Sequence, residues 1–326
     1  MGPLVDRFGR VHDDLRLSVT ENCNLRCIYC MDEDNSDFLS KNKFWSLSEL
    51  KLLLKIFKKL NINSVRITGG EPLIRKDIVE IVEIINSVGF LDIALTTNGM
   101  HLAKYAKDLK LAGLKRINLS IDSLNPEKFA KIRRRGDLNI VLKGLEVASL
   151  QRFDSIKVNV VAIKGINDDE ILDFIEFSKN YRITVRFIEL MPVGATDLYK
   201  DSNVLTRAEI IERISSVYDI VENMRTNSPA EIYSAVDGSF EFGVIASMSE
   251  PFCDKCNRIR LTADGYLRNC LFSRTESSLI SLIRNNKSEE EIEFAIRQEI
   301  FRKAFGHGTD TVGYTVPDKP IYKVGG

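Results

Sequence analysis

From residue 15 to about residue 190 the chain alternates two hydrophobic patterns. Short β-branched runs recur at 15–20, 64–69, 91–97, 115–121, 156–163 and 183–190. Between them apolar residues fall at helical spacing, as in 47–60 and 78–89. Strand–helix repeats of this kind predict a parallel sheet with right-handed crossovers. Six strands fall short of the eight of a closed barrel. The expected fold is therefore α/β, an incomplete (β/α)6 TIM-like barrel with ligands at the C-terminal ends of its strands. Helix starts are legible too. Ser46 with Glu49 and Thr206 with Glu209 have capping-box spacing, and Asn125 before Pro126 is an N-cap and first-turn pair.

After Met191-Pro192 the rhythm changes. A polar loop at 193–204 leads to a helix at 206–217 and strand-like pieces at 219–224, 230–236 and 240–247. Helical stretches follow at about 274–285 and 288–303, and the tail reads as loop. This predicts a barrel core over 1–192 and a C-terminal α+β extension over 193–326.

Composition narrows the class. The chain has 326 residues, is 44% hydrophobic and 28% charged, and carries no formal net charge. That balance is ordinary for a soluble domain and lacks the basic excess of a nucleic-acid binder. No apolar run approaches a membrane span. The first residues lack a signal-peptide core, and Asp6 breaks a myristoylation pattern. A cytoplasmic protein is expected, where clustered cysteines bind metal rather than form disulfides.

Cys23, Cys27 and Cys30 form C-x3-C-x2-C directly after the first strand run. Three thiolates can each hold one iron of a four-iron, four-sulfur cluster, leaving one iron open to a small molecule. Structural zinc is the simpler use, but zinc takes four ligands and histidine is scarce (His12, His101, His307). Gly69-Gly70-Glu71-Pro72 ends the second strand run, where two glycines let backbone approach a ligand. A plain strand-to-helix turn uses the same residues.

Cys253, Cys256 and Cys270 form a second triplet, and no cysteine is left over. Arg258 and Arg260 alternate on a short strand-like piece, so both point to one side. Arginine suits bidentate phosphate binding, although a solvated charged face is the plainer alternative. Arg16, Arg66, Lys157 and Arg186 lie in four of the strand runs. Turned inward, they would line one positive cavity; alternatively, each faces out or pairs with an acid. The run Arg133-Arg134-Arg135 reads as a solvated surface.

The first triplet with its Gly-Gly-Glu-Pro partner resembles the radical S-adenosylmethionine superfamily, Tyr29 filling the aromatic slot before the last cysteine. Nearly the whole chain is similar to the GTP 3′,8-cyclase family of molybdenum cofactor (molybdopterin) biosynthesis. RITGGEPLIRKDI, LTTNGMHLA, INLSIDSL, VNVVAIKGINDDE, RFIELMPVG, PFCDKCNRIRLTADGYLRNCLF and the terminal Gly325-Gly326 carry the likeness.

The resemblance implies two [4Fe-4S] clusters, one on each triplet. It places Tyr29, Gly70, Ser120 and Met191 at S-adenosylmethionine, and Arg16, Arg66, Thr97, Lys157, Arg258 and Arg260 at GTP. Arg186 is the candidate catalytic side chain. The implied reaction is removal of the ribose C3′ hydrogen by a 5′-deoxyadenosyl radical, then attack on guanine C8. The product would be 3′,8-cyclo-7,8-dihydro-GTP. Implied partners are a flavodoxin- or ferredoxin-type electron donor, a downstream cyclic pyranopterin monophosphate synthase and a second copy of the chain. The glycine tail would reach the active site. Two further functions use the same residues: a radical maturase with an auxiliary cluster, and a zinc-binding protein without activity.

Overall fold

The structure is a computed structural model of the chain, and it describes residues 2–35, 38–40, 43–194, 197–224, 228–309, 314, 316–317 and 319–325. A two-stranded hairpin comes first, β1 (Leu4–Val5) against β2 (Val11–His12). Six strands then follow in sequence: β3 (Asp14–Ser18), β4 (Ser64–Thr68), β5 (Asp92–Thr97), β6 (Arg116–Ser120), β7 (Ser155–Ala162) and β8 (Thr184–Glu189). Each pairs in parallel with the next. The connecting helices are α1 (Leu47–Lys59), α2 (Ile78–Val88), α3 (Leu102–Leu111), α4 (Pro126–Arg133), α5 (Leu138–Ser149) and α6 (Ile171–Tyr181). Among the described residues β3 and β8 do not pair, so the six-strand unit stays open, as a partial barrel does.

Strand alternation explains which face does what. In β3 and β4, Leu15, Leu17, Val65 and Ile67 are fully buried, while Arg16 and Arg66 lie between them on the other face. The apolar face meets buried residues of α1 and α2 such as Leu53, Leu54, Phe57, Ile81 and Val82. Full burial of such a side chain contributes roughly 1.5–3 kcal/mol, so this outer layer carries the stability and frees the inner face for polar groups. Register then stacks the cations. Arg16 is the partner of Arg66 on one side and of Arg260 on the other, and Asn159 is the partner of Arg186.

The remaining elements are α7 (Arg207–Ser215), β9 (Ile220–Glu222), β10 (Glu231–Ala235), β11 (Glu241–Ile245), β12 (Arg258–Leu261), β13 (Tyr266–Arg268), β14 (Ser277–Ser278), α8 (Leu279–Arg284), α9 (Glu289–Phe301) and α10 (Ile321–Val324). The C-terminal strands do not form a sheet of their own. β11 adds in parallel to β8, and β12 adds in parallel to β3. One sheet therefore runs β14-β13-β12-β3-β4-β5-β6-β7-β8-β11-β10-β9.

Three local expectations need correction. The stretch 274–285 is helical only from Leu279, because strand β14 precedes it and Ser278 accepts from the Ser281 amide as its N-cap. The tail contains α10, with Tyr322 and Val324 buried. The β1–β2 hairpin was invisible to periodicity, since two-residue strands show no alternation. Both capping boxes and the Asn125 cap form as expected. Among the described residues no helix is long and apolar enough to cross a membrane.

Candidate active site

Two cavities are each lined by one cysteine triplet, the first at the C-terminal ends of the core strands and the second against their middles. The first, about 950 Å³, holds Cys23, Cys27 and Cys30 with Tyr29, Gly70, Thr97, Ser120 and Met191. The second, about 1040 Å³, holds Cys253, Cys256 and Cys270 with Arg16, Arg66, Arg186, Arg258 and Arg260. Thr96, Asn159, Ile188, Met191 and Ile321 line both, so the cavities share a wall.

The first triplet sits on the loop after β3, and the two glycines fix that loop. The Gly70 amide donates to the Thr20 carbonyl at 2.7 Å, and the Glu71 amide to the Asn22 carbonyl at 2.8 Å. A Cβ on Gly70 would stand 2.3 Å from the Asn22 oxygen, which no side chain tolerates. Close approach is therefore to the cysteine loop's own backbone as well as to the cavity. Glu71 is buried and accepts from the Thr97 hydroxyl (2.7 Å) and the Asn98 amide (2.7 Å). Thr97, expected with the nucleotide residues, thus lines the first cavity and has its hydroxyl committed to Glu71.

Arg133 corrects the surface expectation for its run. It is 3% exposed and donates to Cys27 Sγ at 3.3 Å. Its guanidinium also pairs with Asp122 at 2.9 Å, and Asp122 accepts from the Tyr29 hydroxyl at 2.7 Å. Arg133 ends α4, whose buried face carries Phe129 and Ile132, and helix geometry turns Arg133 inward beside them. Arg134 reaches the Met31 carbonyl at 3.2 Å, and Arg135 stays exposed.

Burial disfavours the thiolate form throughout the first triplet. Burial and the nearby Glu71 push Cys23 up to about 12, and burial with the other thiols pushes Cys30 well above the usual range. A coordinating metal displaces such protons. At the second triplet, burial pushes Cys256 up, but Arg258 and Lys303 outweigh it and hold the thiol at about 6. Among the described residues no three His, Cys, Asp or Glu side chains group tightly enough to hold one metal ion. Each triplet lines one cavity, and three thiolates are a donor set suited to a cluster whose irons take one thiolate each.

The second cavity is strongly cationic. Among the described residues five arginines and no carboxylate line it, and Asp14 pairs with Arg16 at 3.1 Å. Burial, then Arg16 and Arg116, lowers Arg186 to about 9; burial, then Arg16 and Arg258, lowers Arg260 to about 9. Nε of Arg16 and Nε of Arg66 are buried without a hydrogen-bond partner among the described residues. Buried unpaired donors and crowded cations both call for a polyanion. Arg186 is oriented rather than free, because Asn159 accepts from its Nε at 3.0 Å and Asn118 accepts from a terminal nitrogen. Lys157 lines neither cavity; it lies near Arg186, Arg116 and Arg66, and burial with Arg186 lowers it. The tail returns to this site, with the Arg260 guanidinium donating to the Gly325 carbonyl. Gly326 lies outside the described residues.

Comparison with known proteins gives the class first. The Radical SAM superfamily matches residues 17–178, and Molybdenum Cofactor Synthesis C matches residues 183–309. Fold and site are those of a radical S-adenosylmethionine protein. Curated relatives narrow this further. The chain is 39% identical to the GTP 3′,8-cyclase of Rhodopirellula baltica, over 99% of this chain and 92% of that protein. It is 40% identical to that of Syntrophomonas wolfei (99% and 100%) and 46% identical to that of Listeria welshimeri (85% and 84%). The chain belongs to the GTP 3′,8-cyclase family.

Solved structures agree on the fold alone. Streptococcus suis SuiB bound to S-adenosylmethionine aligns with a TM-score of 0.62 at 13% identity, over 88% of this chain and 68% of that one. Methylornithine synthase (PylB) aligns with a TM-score of 0.50 at 19% identity, over 63% and 62%.

Proposed function

We propose that the two cavities hold S-adenosylmethionine and GTP side by side, each against its own four-iron cluster. The chain is a radical S-adenosylmethionine enzyme with an iron–sulfur cluster, a lyase of molybdenum cofactor biosynthesis whose substrate is GTP. When bound, the cluster and cofactor would supply a 5′-deoxyadenosyl radical, and the residues of the two cavities would hold the ribose C3′ hydrogen within its reach and guanine C8 beside C3′.

Cys23, Cys27 and Cys30 hold the first cluster, with Tyr29, Gly70, Ser120 and Met191 around the cofactor. Cys253, Cys256 and Cys270 hold the second. Arg16, Arg66, Arg258 and Arg260 grip the triphosphate, and Arg186 lines the second cavity on the Asn118–Asn159 support. Thr97 serves the first cavity by holding Glu71, and Lys157 acts on the nucleotide only through the field it adds. Residues 1–192 form the radical core and 193–326 the nucleotide-binding part, one region by sheet pairing and two by task. The tail through Gly325 closes the site over Arg260. A flavodoxin- or ferredoxin-type protein supplies the electron, a cyclic pyranopterin monophosphate synthase takes the product, and two copies of the chain associate.

The observation that carries this proposal is the shared wall. It lets a primary radical formed in one cavity meet a nucleotide anchored in the other, and proximity supplies selectivity that the radical itself lacks. Arg258→Ala with Arg260→Ala tests the nucleotide side. Each lost charge-assisted bond costs about 1.5–3 kcal/mol, so GTP affinity falls at least roughly tenfold while S-adenosylmethionine affinity holds. Equal GTP affinity in the double variant would refute the assignment.

A further inference from the structure

The second cysteine triplet is clamped from behind by the N-terminal hairpin and the end of α9. Asp6 accepts from Arg10 Nε at 2.6 Å and from His12 Nε2 at 3.1 Å. Arg10 donates to the Cys253 carbonyl at 2.5 Å and to the carbonyls of Ala304 and Phe305 at 2.7 and 2.8 Å. The chain leaving α9 is thereby tied to the loop that carries the triplet.

Lys303 sits inside this clamp, 2% exposed. Its ammonium reaches Cys256 Sγ at 3.3 Å, the Arg258 carbonyl at 2.7 Å and His12 Nδ1 at 3.5 Å. An ammonium has three N–H donors, so all are committed. His12 accepts at Nδ1, which leaves its Nε2–H to donate to Asp6 and fixes the tautomer. A buried ammonium is costly unless an anion pairs with it. Among the described residues no carboxylate touches Lys303; the charges that reach it are the sulfurs of Cys256 and Cys270 and, in opposition, the Arg258 guanidinium. The anion it is built to face is a thiolate.

We propose that Lys303 is a positioning residue for a cluster on the second triplet, and that its N–H···S bond to Cys256 raises the reduction potential of that cluster. Hydrogen bonds and positive charge at a ligand sulfur favour the reduced cluster, which carries one more negative charge. The Asp6–His12 pair holds the ammonium in place, and Arg10 holds the loop. Because this role rests on the second triplet carrying a cluster, iron content is measured beside the potential.

The experiment is a potentiometric titration of the anaerobically reconstituted full chain with dithionite and mediators, followed by electron paramagnetic resonance. The first cluster is recognised by its response to S-adenosylmethionine. In Lys303→Met the second signal shifts to more negative potential while the first stays, and Lys303→Arg keeps the wild-type value. Should Lys303→Met lose its second set of irons, Lys303→Gln retains an N–H donor without the charge and shows a smaller shift in the same negative direction. Wild-type potentials for both signals in Lys303→Met or Lys303→Gln overturn the proposal. A wild-type chain with about four irons instead of about eight overturns the cluster assignment itself, before any substitution is made.

Discussion

Arg133 and Asp122 are the residues that local sequence could not place. Each is nearly fully buried, and they meet across the loop between β6 and α4 and the end of α4. Removing one partner of such a pair leaves an uncompensated charge and costs about 3–5 kcal/mol. Arg133→Met is therefore expected to lower the unfolding free energy of the iron-free chain, taken from urea melts, by an amount in that range, with Arg135→Met as an unaffected control. His12 gives a second residue-scale prediction. Burial, then the Lys303 charge, lowers it from 6.5 to about 4, so the folded state stays neutral where the unfolded state protonates. The unfolded state binds more protons between those values, and stability falls as pH drops from 6.5 toward 4. The loss is on the order of 3 kcal/mol and is largely absent in His12→Gln, as urea melts across that range can measure. Cysteines, the Gly-Gly pair and Arg258 with Arg260 were legible because their spacing is local. Arg133, Asp122, Asn159 and Lys303 were not, because only packing joins residues so far apart in the chain.

At the scale of elements, the strand that ends in Gly69-Gly70 does two things at once. It pairs within the sheet, and its end holds the first cysteine loop through Thr20 and Asn22. Gly70→Ala forces its Cβ against the Asn22 carbonyl, so the loop must move. The expected result is loss of iron from the first site only, leaving about four irons per chain. Gly306→Ala, with nothing within 4 Å of its added Cβ, is the matched control and retains the wild-type content. The six core strands match the hydrophobic runs to within a residue or two at their ends. Their period was clear because one face is mostly apolar, as with Leu15 and Leu17, Val65 and Ile67, and Ile117 and Leu119. The hairpin at Leu4–His12, the short β14 and α10 escaped notice, being too brief for any period and held by tertiary contacts such as the Ile321 amide to the Val193 carbonyl at 2.7 Å.

For the whole molecule, the C-terminal region is part of the sheet. β11 covers the free edge of β8, and β12 covers that of β3. A chain cut after residue 192 would expose both edges, and unpaired edges template aggregation. Such a fragment is expected to be insoluble or markedly less cooperative on melting than the full chain; a soluble, cooperatively folding fragment would count against the single-sheet account. The same pairing sets Arg260 beside Arg16 and Arg66, so the cationic cavity exists only when both regions are present. The proposed reaction then depends on two cavities that share Met191 and Ile188. The most direct test of that meeting is label transfer, with GTP deuterated at C3′ incubated anaerobically with reduced enzyme and S-adenosylmethionine. Deuterium in the 5′-deoxyadenosine, formed only when GTP is present, is the predicted result. Unlabelled 5′-deoxyadenosine, or the same rate without GTP, would contradict it.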